Sequence, residues 1–393
     1  MGAKILHVPS GHPLNKLSPK LKEQIVRAQR DSIETEFTDA FQLCSRAFAD
    51  LKIAIRPPAS TKNMSAIELG DLSSKLLVEF YSGVLLKNGI PEQAVPAQAA
   101  GLAHRTQLIR AFSDVDSIIN QACEKVSEIV GSFPRTAEQI KVGRNPGDVL
   151  DPYILSAAQV LMFANDFERT VSAAVSHKVL MIIEGLMGHL HEDILGAMRG
   201  NVRAPEPRGK DQEAFDLQHN PFPGADIVQP PLANGRGIRF HQVKSKTGSA
   251  KGGDGRRLGI QLKALTDIYG GQAFYVALIG HTLRGHRSMT GVLKAAPSVV
   301  VLVGESAFLE LTGSTAGPQL LLRLYQSAFE VAVNRSGYSF EAVIATIYST
   351  FRERSNELGE GFLESVLHDA ISGAVDQQDS RHFVSRKRNA AID

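Results

Sequence analysis

Apolar residues recur at three- and four-residue spacing through most of the first 165 positions. That period predicts helices over residues 20–51, 66–88, 103–130 and 152–164. Two stretches, "RPPAST" and "GSFPRT", punctuate the pattern, because proline and glycine interrupt helical hydrogen bonding. No strand is predicted in this portion. A further helix over 166–199 contains "SHKVLMIIEGLMGHLHEDILGAMRG" and is followed by the polar connector "NVRAPEPRGKDQEAFDLQHNPFPG".

The texture changes at Ala225. "ADIVQ" and "IRFHQVKS" are short β-type runs on either side of Asn234-Gly235, a hairpin signal because both residues tolerate positive φ. A helical stretch near 258–269 precedes the apolar runs "AFYVALIG" and "SVVVLVG", which suit buried central strands. From Glu305 the pattern is helical again to about residue 375, and the chain ends in the basic "SRHFVSRKRNAAID". The order predicts three segments: a helical domain over 1–165, an α/β core over 166–315, and a helical extension with a basic tail over 316–393. No repeat of solenoid period is present.

Composition adds bounds. The chain has 393 residues, 43% apolar and 21% charged, enough to bury a core in more than one domain. Its 43 basic and 41 acidic side chains give a net charge of +2, so a polyanion would have to be held by local basic clusters. Cys44 and Cys123 lack C-x-x-C partners, which speaks against a disulfide framework or zinc site and for a cytoplasmic protein. No long uninterrupted apolar stretch suggests a membrane span.

The chemistry gathers on the expected hairpin. Side chains two apart on a strand share a face, so Gln242 and Lys244 project together while His241 and Val243 point the other way. Folding about Asn234-Gly235 brings Asp226 nearly opposite Gln242. A carboxylate and a carbonyl oxygen are hard ligands of the kind magnesium takes. A lysine beside the ion can orient a water or neutralise charge developing on a phosphate.

"PGADIV" followed by "FHQVKSK" resembles the PD-(D/E)xK nuclease superfamily, in the variant with Gln at the second acidic position, and its surroundings resemble type II restriction endonucleases. The resemblance spans residues 170–305. It implies an α/β (α+β) fold with a restriction-endonuclease-like mixed sheet flanked by helices, and Mg2+ as cofactor. It further implies metal ligation by Asp226, Gln242 and the helix acid Glu184, with Lys244 as catalytic lysine. Glu192 and Asp193 are alternatives to Glu184 on the same helix. The chain departs from the family in placing Ala225 directly before Asp226, and in using an amide, a weaker magnesium ligand than a carboxylate, at Gln242.

Flanking residues extend the reading toward DNA. "KTGSAKGGDGRR" places Lys246, Lys251, Arg256 and Arg257 among glycines that let a backbone approach phosphates, and no Walker-type Gly-Lys-Ser/Thr follows. "GHTLRGHRSMTG" puts Arg284 and Arg287 on a loop after a strand. Gly185 and Gly188 are expected to let the helix approach the sheet. The expectation is a Mg2+-dependent type II site-specific deoxyribonuclease that cuts double-stranded DNA to leave 5′-phosphates and works as a homodimer away from membranes. The alternatives are a repair or recombination nuclease on the same core, or a DNA-binding protein with a decayed site. Gln261 and Tyr269 are eight apart and do not form the one-turn pair of repair exonucleases.

Overall fold

A computed structural model describes residues 4–142, 150–206, 214–246, 254–280, 287–358 and 361–372. They group into two compact units, Met1–Ala122 with Met187–Ala328 and Cys123–Leu186 with Phe329–Asp393.

The helices up to the connector are α1 (Pro19–Arg30), α2 (Ile33–Glu36), α3 (Ala40–Asp50), α4 (Ala66–Gly70), α5 (Ser74–Lys87), α6 (Val95–Ala111), α7 (Val115–Lys141), α8 (Pro152–Met162) and α9 (Phe167–Gly196). The single helix expected over 20–51 is three. Ser32 and Asp39 each accept a hydrogen bond from the amide three residues on, so the chain restarts a helix twice within that stretch. Ser65 and Ser73 divide 66–88 in the same way. "GSFPRT", by contrast, does not end a helix. Pro134 lies inside α7, where Phe133, Ala137 and Ile140 bury into the core of the second unit and outweigh one lost backbone bond. That core is completed by Val171, Val175, Ile347 and Phe351. By length and composition α9 is the one helix among the described residues that could cross a membrane.

In the first unit five strands form one mixed sheet in sequence order: β1 (Val202–Arg203), β2 (Ile227–Gln229), β3 (Arg239–Lys246), β4 (Gln272–Ile279) and β5 (Val300–Val303). β1, β2 and β3 pair antiparallel, and β3, β4 and β5 pair parallel. The parallel pairs require crossovers. These are α10 (Asp254–Tyr269) and α11 (Arg287–Ala295), the latter falling where only a loop was expected. After β5 follow α12 (Glu305–Thr312), α13 (Gly317–Ser336), α14 (Phe340–Leu358) and α15 (Phe362–Ser372).

Period two on β3 separates two environments. Phe240 is fully buried among Phe222, Tyr269 and the apolar side of α10, and Gln242 and Lys244 continue that face toward the strand's C-terminal end. On the reverse face Arg239 Nη1 donates to both carboxylate oxygens of Glu310 at 2.8 Å, and His241 Nε2 lies 2.9 Å from Glu310 Oε1. Phe274 stacks on the His241 ring at 4.8 Å. Burial works to raise the Glu310 carboxyl, but the His241 and Arg239 contacts outweigh it and hold the group below its ordinary value. This clamp ties α12 to β3.

The arms of the hairpin meet as expected, but the connection is longer than a two-residue turn. Pro230 and Pro231 supply no backbone N–H, so β2 stops at Gln229 and residues 230–238 form the loop. Gly235 still takes positive φ, 85°, at its tip.

At the α10–β4 junction Gly270 and Gly271 both have positive φ, yet their surroundings differ. A Cβ on Gly271 would lie 2.0 Å from the Ile238 carbonyl oxygen, whereas one on Gly270 meets nothing within 4 Å. Gly270→Ala is expected to lower stability by about 1–2 kcal/mol, the backbone cost alone. Gly271→Ala is expected to cost clearly more, because Ile238, which leads into β3, must move. Urea unfolding of both variants checks this, and equal losses would contradict the packing.

Candidate active site

Asp226 is delivered by the stretch that precedes β2. Phe222 plugs into the aromatic group of Phe240 and Tyr269, and the Tyr269 hydroxyl donates to the Pro221 carbonyl at 3.1 Å. Gly224 then turns at φ 78° close under α10, where a Cβ would come within 2.9 Å of Gln261 Cβ. The next residues enter the sheet: the Asp226 amide donates to His241 O at 2.8 Å, and Asp226 O accepts from the Ala204 amide at 2.8 Å.

Ile227 pairs with His241 and Val228 with Phe240, so the same register sets Asp226 across from Gln242. The two side chains touch. Gln242 Nε2 donates to Asp226 Oδ2, which also accepts from the Val243 amide at 2.7 Å. Gln242 is therefore a hydrogen-bond donor to the aspartate in this arrangement. Its amide would have to turn over to offer a carbonyl oxygen to a metal. Lys244 lies on the same face, half-buried, and its charge stabilises the ionised forms of both Asp226 and Glu192.

The helix acid beside Asp226 is Glu192. Burial first, and then the nearby Glu192 carboxylate, push Asp226 up to about 7, against the opposing pull of Lys244, the Val243 amide and Arg203. Burial likewise raises Glu192, with Arg203, His189 and Lys244 lowering it. Glu184, the acid carried over from the resemblance, is exposed, belongs to the other unit, and is not among the groups acting on Asp226. The close approach of α9 to the sheet also comes from a different glycine than expected. A Cβ on Gly196 would sit 2.8 Å from Arg203 Cβ, while one on Gly188 would meet only Ser245 Oγ at 3.9 Å and one on Gly185 nothing within 4 Å. On the same helix His191 Nδ1 lies 3.0 Å from the Tyr325 hydroxyl.

Arg203 had no signal in the sequence pattern and sits at the centre of the charges. Its Nη2 donates to Glu192 Oε2 at 2.5 Å and to Glu206 Oε1 at 2.6 Å, its Nε to Asp193 Oδ1 at 3.3 Å and its Nη1 to Asp226 O at 3.2 Å. A cleft of about 340 Å3 opens in front of Asp226 and is lined also by Arg203, Glu206, Arg257 and Gln261. A second cavity, about 390 Å3, reaches Asp193 and Arg203 from the side of α1 and α7 and does not include Asp226; neither cavity is lined by Gln242, Lys244 or Glu192. Of the expected DNA contacts, Arg257 lines the cleft; Lys246, Arg256 and Arg287 are exposed at the end of β3, on α10 and at the start of α11. Lys251 and Arg284 lie outside the described residues.

Two carboxylates and an amide make an oxygen-donor set suited to magnesium. Asp226, raised because its negative charge is short of compensation, is the kind of group that a divalent cation relieves.

The raised Asp226 fixes a pH dependence. A carboxyl that titrates near 3.9 in the unfolded chain and about 7 in the fold binds more protons when folded between those values. Its contribution to stability is therefore full below pH 4 and is lost as pH rises through 7. Asp226→Asn is expected to be more stable than wild type at pH 8, by up to about 4 kcal/mol, with the difference vanishing near pH 4. Urea midpoints at the two pH values test this; a difference independent of pH would contradict the burial of a carboxylate.

No family model matches the chain, and a search of curated proteins returns no match.

Proposed function

We propose that the chain is a divalent-metal-dependent DNA nuclease. The observation that carries the reading is the grouping of Gln242, Lys244 and Glu192, from β3 and α9, around Asp226, which itself lines the cleft. Asp226 and Glu192, with the Gln242 carbonyl after its amide turns over, would hold magnesium. The bound ion would supply Lewis-acid polarisation of a phosphodiester and a more acidic water.

The protein's own groups do the rest. Lys244, on the face of Gln242 and close to both acids, is placed to steady the attacking water or the charge on the phosphate. Arg257 at the mouth of the cleft, with Lys246 and Arg256 nearby in sequence, provides cations for flanking phosphates. Asp226 and Gln242 face each other midway along β3, and Lys244 follows toward the C-terminal end of that parallel strand, the end at which open α/β sheets bind ligands. Together with the resemblance to type II restriction endonucleases, these features favour hydrolysis of double-stranded DNA at specific sites by a cytoplasmic homodimer, leaving 5′-phosphates.

Gln261 also lines the cleft from α10, but without a tyrosine one turn on it does not form the pair of repair exonucleases. That position is the buried Leu265, and Tyr269, eight residues on, has its ring among Phe222 and Phe240.

Incubation with plasmid and phage DNA in Mg2+ or EDTA separates the readings. Discrete bands only with Mg2+ are expected; degradation from ends would favour the repair reading, and intact but retarded DNA a binding protein. Lys244→Ala and Glu192→Gln are each expected to slow cleavage by about 10²–10⁴-fold. Glu184→Gln is expected to stay near the wild-type rate. Cleavage by Glu192→Gln at the wild-type rate would contradict the assignment of the helix acid.

A further inference from the structure

We infer that Arg203 is a counter-ion switch: it neutralises Glu192 and Glu206 in the metal-free protein and turns to a substrate phosphate once Glu192 is engaged by metal. The inference rests on the nuclease reading and adds to it a coupling between metal and DNA binding.

Three features point to this role. The stem of Arg203 is fixed, since Arg203 pairs with Ile227 in the sheet and its Cβ lies against Gly196 of α9. The head, in contrast, is held by charge: Nη2 reaches Glu192 Oε2 at 2.5 Å and Glu206 Oε1 at 2.6 Å. Glu206 is exposed, and a contact to an exposed carboxylate is weak and exchangeable. Third, Arg203 lines the same cleft as Asp226 and Arg257, so a guanidinium released from Glu192 already borders the space a phosphate would enter.

The charges give the direction. Glu192, Asp193 and Glu206 surround the guanidinium and leave it little attraction for an anion. A metal drawing on Glu192 removes the closest of these partners and exposes the positive charge. Arginine suits the exchange because its planar fork matches carboxylate and phosphate equally well. The same contact explains why the His189, Glu192 and Glu206 ligand atoms, all within 4.8 Å of one another, call for no second cation: Arg203 already bridges the two carboxylates.

Linkage requires that metal tighten DNA binding and DNA tighten metal binding by one factor. Anisotropy of a labelled random-sequence duplex, with and without Ca2+, measures that factor, and calorimetry measures Ca2+ binding without DNA. In wild type Ca2+ is expected to tighten DNA binding by roughly tenfold or more. In Arg203→Gln, Ca2+ alone is expected to bind as tightly or more tightly, while its effect on DNA falls by at least about threefold. Glu206→Gln, a change at an exposed residue that leaves the core intact, is expected to tighten metal-free DNA binding and shrink the Ca2+ effect. A uniform gain with and without Ca2+ would instead mark simple charge removal and overturn the switch. So would an unchanged Ca2+ effect in Arg203→Gln, or loss of its Ca2+ binding, which would make Arg203 a support for Glu192. A wild-type protein that binds no Ca2+ would overturn the nuclease reading as well.

Discussion

A slip of one residue between β2 and β3 would turn Asp226 to the opposite face from Gln242 and leave the rest of the site without a centre. Everything at the cleft depends on that register. It is enforced from both sides of β3. On one face Phe240 is locked among Phe222 and Tyr269, and on the other His241 and Arg239 are clamped by Glu310. A slipped β3 would bury Arg239 and His241 among aromatic rings and send Phe240 toward the carboxylate, so both environments reject it. The proline pair 230–231 ends β2 before the turn can influence the pairing further.

With the register fixed, electrostatics decides how the site behaves. Two carboxylates, Asp226 and Glu192, are brought together where burial first, and then the Glu192 charge, raise the cost of ionising Asp226. Lys244 and Arg203 offset that cost without removing it, and Gln242 contributes a neutral donor in place of a third negative charge. A third carboxylate would have raised the repulsion and the appetite for metal together. In the proposed metal site the amide would weaken metal affinity while sparing the metal-free fold a third negative charge.

The central part of this arrangement was legible because it rests on short-range rules. Period two put Gln242 and Lys244 on one face, and a turn midway between the arms put Asp226 opposite. Both follow from strand geometry, whatever surrounds them. Glu192 was harder, since helical spacing alone does not separate it from Glu184. One signal was present: Glu192 and Asp193 lie at the C-terminal end of α9, where the helix dipole disfavours acids, so their position demands a nearby cation. Arg203 gave no signal. It lies in a two-residue strand inside a polar connector, and only tertiary pairing with Ile227 brings it between the acids. The α11 crossover was hidden likewise, because "RSMTGVLKA" is too short and mixed to stand out as a helix, though parallel pairing of β4 with β5 required one.

Anomalous diffraction from crystals soaked in Mn2+ tests the central claim most directly. The account predicts a single strong peak between the carboxylates of Asp226 and Glu192, with the Gln242 amide turned so that its oxygen faces the ion and Arg203 drawn off Glu192. A peak elsewhere, or no peak in the cleft with the Gln242–Asp226 hydrogen bond intact, would contradict it.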